Sequence, residues 1–257
     1  MTTLTLDTEI PVRPTPSFVS APPSLNDLAI RYGTDKRIGI HSYVKWYEAL
    51  CAPRRWQQLT MLEIGVQTGA SIKMWADYFP NAQLVGIDID PRCAQFATNR
   101  IQIITGGQEN PEIAKWLAGA YPDGLDIVID DGSHLSADVI LSFRTLFPLL
   151  RPGGLYVIED LQTSYWPGWN GGTTDLDEPG TSLGFLKTLV DSLHHQEHTG
   201  RTSSAQDRMI GGLHFYHNIA FIEKSVNAEQ ASAAWIPRDL HPRAWMYPPA
   251  TSEEGTK

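Results

Sequence analysis

Two short stretches place side chains capable of chemistry close together. "VIDDGSH" (128–134) carries Asp130, Asp131 and His134, and "VIED" (157–160) carries Glu159 and Asp160. Each acidic pair closes an apolar run of strand character, and a parallel sheet opens its ligand crevice at such strand ends. Carboxylates that converge there repel one another, so one or more must bind a proton unless a cation joins them. All-oxygen ligation with room for water suits Mg²⁺, with Mn²⁺ and Ca²⁺ as alternatives. A neutral His134 beside such an ion is a candidate general base. Its plain alternative is a histidine that caps or steadies the next helix.

A third stretch, "LEIGVQTGAS" (62–71), sets Gly65 and Gly69 between a strand and a helix. Glycine lets backbone approach a ligand closely, and the helix N-terminus offers free N–H groups. The stretch is neither G-x-G-x-x-G nor a P-loop. Glu63 is an acid inside an apolar strand, costly without a partner, and a cationic ligand would supply one. Asp88 ends the next strand, well placed for the two ribose hydroxyls of a nucleoside. Together these residues favour a nucleoside site over a tight turn with a solvated acid.

These residues need a scaffold, and the pattern supplies one. Apolar runs at 59–66, 83–90, 100–106, 125–131 and 154–160 alternate with amphipathic stretches, "SLNDLAIRYG", "HSYVKWYEALC", "SIKMWADYF", "PEIAKWLAGA" and "SADVILSFRTLFPLL". The alternation predicts βαβ crossovers and a mostly parallel sheet with helices on both faces, an α/β Rossmann-like fold. After Asp160 come a Gly/Pro/Trp-rich loop at 161–180, a helix in "TSLGFLKTLVDSLHH", and a hairpin in "GGLHFYHNIAFIEK" turning near His217 and Asn218. A loop of that length is usually functional. The expected organisation is an N-terminal arm at 1–23, one catalytic domain at 24–230 and a C-terminal extension at 231–257 that includes Trp235 and Trp245.

A net charge of −9 and the lack of a Lys/Arg cluster argue against a nucleic-acid partner. No apolar run approaches the roughly 18 residues of a membrane span. The N-terminus lacks the features of a signal peptide. Cys51 and Cys93 stand far apart, so a disulfide framework or zinc site is not suggested, and a cytoplasmic setting fits.

"LEIGVQTGAS" followed by "VGIDID" resembles the cofactor loop of class I S-adenosylmethionine-dependent methyltransferases. The resemblance implies a seven-stranded sheet, parallel except for an antiparallel last strand, with the hairpin as strands six and seven. It also implies a cofactor-binding set of Glu63, Gly65, Gln67, Gly69, Ser71, Asp88 and Gln108, with Asp130 as a further candidate for the cofactor or its supporting groups. Strands four and five are neighbours in that family, which would gather the acids. The acids are similar in arrangement to those of catechol-type, metal-dependent O-methyltransferases. On that pattern Asp131, Glu159 and Asp160 would hold Mg²⁺ (or Mn²⁺), and His134 would take the substrate proton. Here His stands where that family has Lys, and Glu-Asp where it has Asp-Asn.

A longer match runs from residue 28 onward. "YGTDK", "VIDDGSH", "LRPGGLYVIEDLQTSYWPG" and "LHFYHN" look like the macrocin and mycinamicin type of deoxysugar O-methyltransferases of antibiotic biosynthesis. This implies a small glycosyl acceptor. Tyr32, Thr34, Lys36, His41, Tyr165 and Trp166 are candidate substrate residues, against the plain readings of a helix-ending turn and of packing. Some members carry a large extra N-terminal domain, and this chain begins close to the catalytic one. The loop at 161–180, the arm or another subunit of a homo-oligomer would then cover the substrate. That size argument mildly favours a nucleotide-linked sugar such as dTDP-rhamnose over a sugar already joined to a polyketide. An aromatic diol and a catalytically silent nucleoside-binding module are the other readings.

Overall fold

The computed structural model describes residues 21–172 and 174–227. Residues 1–20 of the expected arm, and the expected extension with Trp235 and Trp245, lie outside these. Seven strands form one sheet: β1 (Thr60–Ile64), β2 (Gln83–Asp88), β3 (Ile101–Thr105), β4 (Leu125–Asp130), β5 (Leu150–Ile158), β6 (Ile210–Tyr216) and β7 (Ile219–Lys224). Their order is β3-β2-β1-β4-β5-β7-β6, and β7 is antiparallel to both its neighbours. The chain reverses between β3 and β4, so β1 and β4 lie side by side at a switch point where the strand ends part.

Helices α1 (Leu25–Tyr32), α2 (Val44–Cys51) and α3 (Ala70–Tyr78) cover one face, while α4 (Pro111–Ala120), α5 (Ser136–Leu146) and α6 (Ser182–Leu193) cover the other. The central strands are buried on both faces, which is why they read as continuous apolar runs rather than as alternation. Side chains still alternate. Met61, Ile127, Ile129 and Val157 join the α1–α3 face, and Leu62, Val128, Tyr156 and Ile158 the opposite one.

Local signals fix the ends that matter. Ser24 caps α1 by accepting from the Asp27 N–H, the Asp27 carboxylate returns the contact, and Gly33 ends the helix in the left-handed region at φ 72°. Asn218 turns the β6–β7 hairpin at φ 66°. Its carbonyl accepts from the Leu161 N–H at 3.0 Å, which ties the hairpin tip to the chain just beyond Asp160.

The stretch at 161–180 departs from a plain loop. Leu161–Tyr165 and Pro167–Trp169 form 3-10 turns. Gly171 and Gly172 donate back to Trp166 and Ser164 carbonyls. The buried Ser164 hydroxyl accepts from the Leu183 N–H at the start of α6. Polar side chains at 163 and 164 satisfy backbone here, and that anchors the first half of the segment.

Candidate functional site

A cavity of about 870 Å³ opens where β1, β2 and β4 end, a size common for small-molecule sites. Of the expected residues, Gly65, Gln67, Ser71, Asp88, Gln108, Asp131, His134, Asp160, Thr34 and Lys36 line it.

The β1–α3 turn forms one wall. Gly65 adopts φ 90°, and a Cβ there would stand 2.0 Å from the Asp131 carbonyl oxygen. Only glycine meets both demands. Asp88 reaches across from β2, accepting from the Val66 N–H at 2.9 Å, the Gln67 N–H at 2.8 Å and the Asp90 N–H at 2.8 Å. Burial works against its charge, yet these donors hold its carboxyl below the usual range. Gly69 does not line the cavity. It starts α3 at φ 71°, and the Phe96 ring occupies the space of its missing Cβ. Its glycine answers to packing rather than to direct ligand approach.

Glu63 points to the α1–α3 face. One oxygen accepts from the Trp75 indole at 3.0 Å, and Oε2 is buried with no partner. Burial pushes its carboxyl up to about 7. Glu63 is not among the residues that line the cavity, but Ser71 beside it is, and the nearby Lys36 charge favours its carboxylate; the unmet oxygen would suit the ammonium of a methionine-like ligand that reaches past Ser71.

Asp130 turns out to support rather than line. It ends β4 facing α5, 1% exposed. There it accepts from Gln108 Nε2 at 3.2 Å, while the same nitrogen donates to the Ser142 hydroxyl at 2.9 Å. Burial pushes Asp130 up to about 7. Gln108 Oε1 in turn accepts from the Ser133 N–H at 2.9 Å. Asp130 therefore orients Gln108, and Gln108 holds the loop that presents Asp131 and His134.

That loop and the end of β5 form the acidic wall. Potential ligand atoms of Asp131, His134 and Asp160 lie within 4.8 Å of one another. His134 Nε2 is 3.6 Å from Asp160 Oδ2 and 3.9 Å from Asp131 Oδ1. Both His134 (φ 58°) and Asp160 (φ 54°) adopt left-handed backbone, strain of a kind that clusters at functional sites. The capping reading of His134 does not match this geometry. Leu135 is the N-cap of α5, and the Ser133–Asp138 pair secures that end.

Glu159 sits deeper, 3% exposed. Its Oε1 accepts from the Tyr47 hydroxyl at 2.5 Å, and its Oε2 accepts from Lys36 Nζ at 2.6 Å. The same ammonium lies 2.5 Å from Asp131 Oδ2. Burial, then the Asp131 charge, push Glu159 well up, with Lys36 opposing. Lys36 was expected to meet substrate. Instead it lies 1% exposed and bridges two acids, because a buried ammonium must pair. Asp160 is set by the Tyr43 hydroxyl, which donates to Oδ1 at 2.7 Å, and by Gln162 Nε2 at 3.1 Å. Burial opposes its charge, but these donors and His134 hold its carboxyl below the usual range.

A cation already joins Asp131 to Glu159, and the Asp131 and Asp160 oxygens facing His134 are free of donors among the described residues. These two oxygens and His134 Nε2 are the converging donors that suit a hard divalent ion, while the expected third ligand, Glu159, is engaged by Lys36 and Tyr47.

Other substrate candidates scatter. Tyr32 turns away and donates to Asp77 at 2.6 Å. His41 stacks on Tyr43 at 5.1 Å, its Nδ1 3.8 Å from Asp160. Tyr165, Trp166 and Trp169 are exposed and do not line the cavity, with the two indoles edge to face. Tyr47 was missed altogether. Its signal was available: Tyr43 and Tyr47 are four residues apart around an apolar helix, and buried hydroxyls need acceptors.

The chain is similar to known methyltransferases. Residues 62–161 match the methyltransferase domain family. Demethylmacrocin O-methyltransferase of Streptomyces fradiae is 44% identical over 86% of this chain and 58% of its own length. An 8-demethyl-8-alpha-L-rhamnosyl tetracenomycin-C 2'-O-methyltransferase of Streptomyces olivaceus is 46% identical over 80% of this chain and 56% of its own. The solved structure of MycE, from the mycinamycin pathway, in complex with Mg and SAH superposes at a TM-score of 0.81, with 44% identity, over 86% of this chain and 59% of that one. A second MycE structure also contains mycinamycin VI. The chain thus spans less than two thirds of the length of these relatives.

Proposed function

We propose that the chain, similar to the macrocin and mycinamicin O-methyltransferases, is a methyltransferase that methylates a deoxysugar hydroxyl, using S-adenosylmethionine and Mg²⁺ or Mn²⁺. The observation that carries this reading is the convergence of Asp131, His134 and Asp160 on the cavity that the Gly65 turn and Asp88 also line.

S-adenosylmethionine supplies an electrophilic methyl group, and the divalent ion supplies a Lewis acid that lowers the pKa of a coordinated hydroxyl. The remaining work falls to this chain's residues. Gly65, Gln67, Ser71 and Asp88 hold the nucleoside and methionine ends, and Glu63 receives the ammonium. Asp131, Glu159 and Asp160 bind the ion, with Tyr43 and Tyr47 fixing the rotamers of the last two. His134 accepts the hydroxyl proton at Nε2, which stands 3.6 Å from Asp160 Oδ2 and 3.9 Å from Asp131 Oδ1. Orientation of the acceptor against the methyl group contributes most, roughly 7–11 kcal/mol where near-attack geometry is held.

The named substrates of the relatives support an acceptor sugar already attached to a polyketide over a nucleotide-linked one, and an aromatic diol has no such support. Tyr165, Trp166 and Trp169, exposed on the segment after Asp160, offer flat surfaces for an aglycone. No helix among the described residues is long and apolar enough to cross a membrane. Two free buried cysteines suit the cytoplasm, and a homo-oligomer would be read from light scattering.

Labelled cofactor offered with a rhamnosylated polyketide, a macrolide glycoside and dTDP-rhamnose tests the acceptor. Transfer should vanish in EDTA and return with Mg²⁺; undiminished transfer in EDTA removes the ion. His134→Ala should lower kcat by about 10²–10⁴ while S-adenosylhomocysteine and Mn²⁺ still bind. Lost Mn²⁺ binding would make His134 a ligand instead.

A further inference from the structure

We propose that the Lys36 ammonium is a resident counter-cation that competes with the divalent ion for Asp131 and Glu159, keeping the acids together until the ion arrives. The inference rests on the ion site proposed above and concerns how that site is filled.

Lys36 follows the turn that ends α1, and its backbone is pinned. Its carbonyl accepts from the Val44 N–H at 3.1 Å, and the Asp35 carbonyl accepts from the His41 N–H at 3.0 Å. From that anchor the side chain reaches inward to full burial, with Nζ 2.5 Å from Asp131 and 2.6 Å from Glu159. Both Glu159 oxygens are therefore occupied, one by Tyr47 and one by Lys36. An ion on Glu159 Oε2 would share that oxygen with Nζ at 2.6 Å, which sets the two cations in competition for it. An ion held on Asp131 would also stand close to an ammonium in a poorly screened interior, where like charges repel strongly. A lysine suits this role, because a flexible stem can relocate a compact charge, whereas a guanidinium would lock onto the carboxylate. Without Lys36, the acids Asp131, Glu159 and Glu63 would face one another uncompensated, and all three act on its charge.

Mn²⁺ binding, measured by calorimetry without cofactor or acceptor, tests the idea on wild type and Lys36→Met. The variant should bind Mn²⁺ at least ten-fold tighter and gain more Tm on saturation. Folding of Lys36→Met only when Mn²⁺ is present would support the proposal equally. A second measurement uses the unaltered protein. Acetylation of Lys36, quantified by peptide mass spectrometry, should accelerate several-fold as Mn²⁺ saturates, while exposed Lys115 reacts at a constant rate. A folded Lys36→Met that binds Mn²⁺ no more tightly overturns the proposal, as does Lys36 labelling indifferent to saturating Mn²⁺. If neither protein binds Mn²⁺, the ion site itself is refuted, and the competition with it.

Discussion

The carbonyl oxygen of Asp131 fills the space where a side chain on Gly65 would begin, 2.0 Å from the ideal Cβ position. The nucleoside turn and the ion loop thus touch backbone to backbone. On the function proposed above, this contact would hold the cofactor side and the ion side of the site at a fixed separation.

Gly65→Ala should therefore damage both halves of the site. The added methyl meets rigid backbone, and φ 90° is unfavourable for alanine. Strain and overpacking together should cost about 2–5 kcal/mol. Thermal unfolding would show the loss, and calorimetry should show weakened binding of both S-adenosylhomocysteine and Mn²⁺. A variant impaired in only one of the two would mean the loops are independent.

Tyr43→Phe removes the donor that sets Asp160. Hydrogen bonds to charged groups contribute about 1.5–3 kcal/mol. The expected result is Mn²⁺ affinity reduced roughly ten-fold, about 1.4 kcal/mol, with S-adenosylhomocysteine binding unchanged. An unaltered Mn²⁺ Kd would show that Asp160 is oriented by Gln162 and the backbone alone.

Glu63 gives a pH signature. Burial raises its carboxyl to about 7 in the free protein, whereas the ammonium of a bound cofactor favours the carboxylate. Binding should then release a proton, and affinity for S-adenosylhomocysteine should climb as pH rises towards about 7 and level off above it. The stability of the unliganded protein should run the other way. A raised acid contributes fully below its ordinary pKa of 4.5, and that contribution is lost as pH rises through about 7. Glu63→Gln should flatten the binding profile and lessen the stability slope, to which Asp130 also contributes, and a variant that keeps the binding slope assigns it to another group.

The strands, helices and hairpin could be read from the sequence because each has a local signature: apolar runs, the Ser24 cap and the turn at Asn218. The acids at 130, 131, 159 and 160 could be found for the same reason, since each ends a strand. Their separate roles could not. Alternation along β4 sends Asp130 under α5, where it supports Gln108, and that depends on which face the helix covers. Likewise Lys36 reads as a solvated charge after a helix until the acids 95 and 123 residues later are seen to enclose it. Gly69 resembles its neighbour Gly65, but only the position of Phe96 reveals that one of them serves packing.

The clamp on the acids has a consequence for biogenesis. Lys36, Tyr43 and Tyr47 leave the ribosome before their acceptors, which are made 95–123 residues later. A nascent chain halted before Asp131 would hold all three polar groups without these acceptors, which disfavours the docking of α2 during that interval. Contacts of such long sequence separation form late. Mn²⁺ uptake would therefore mark the completion of folding rather than initiate it.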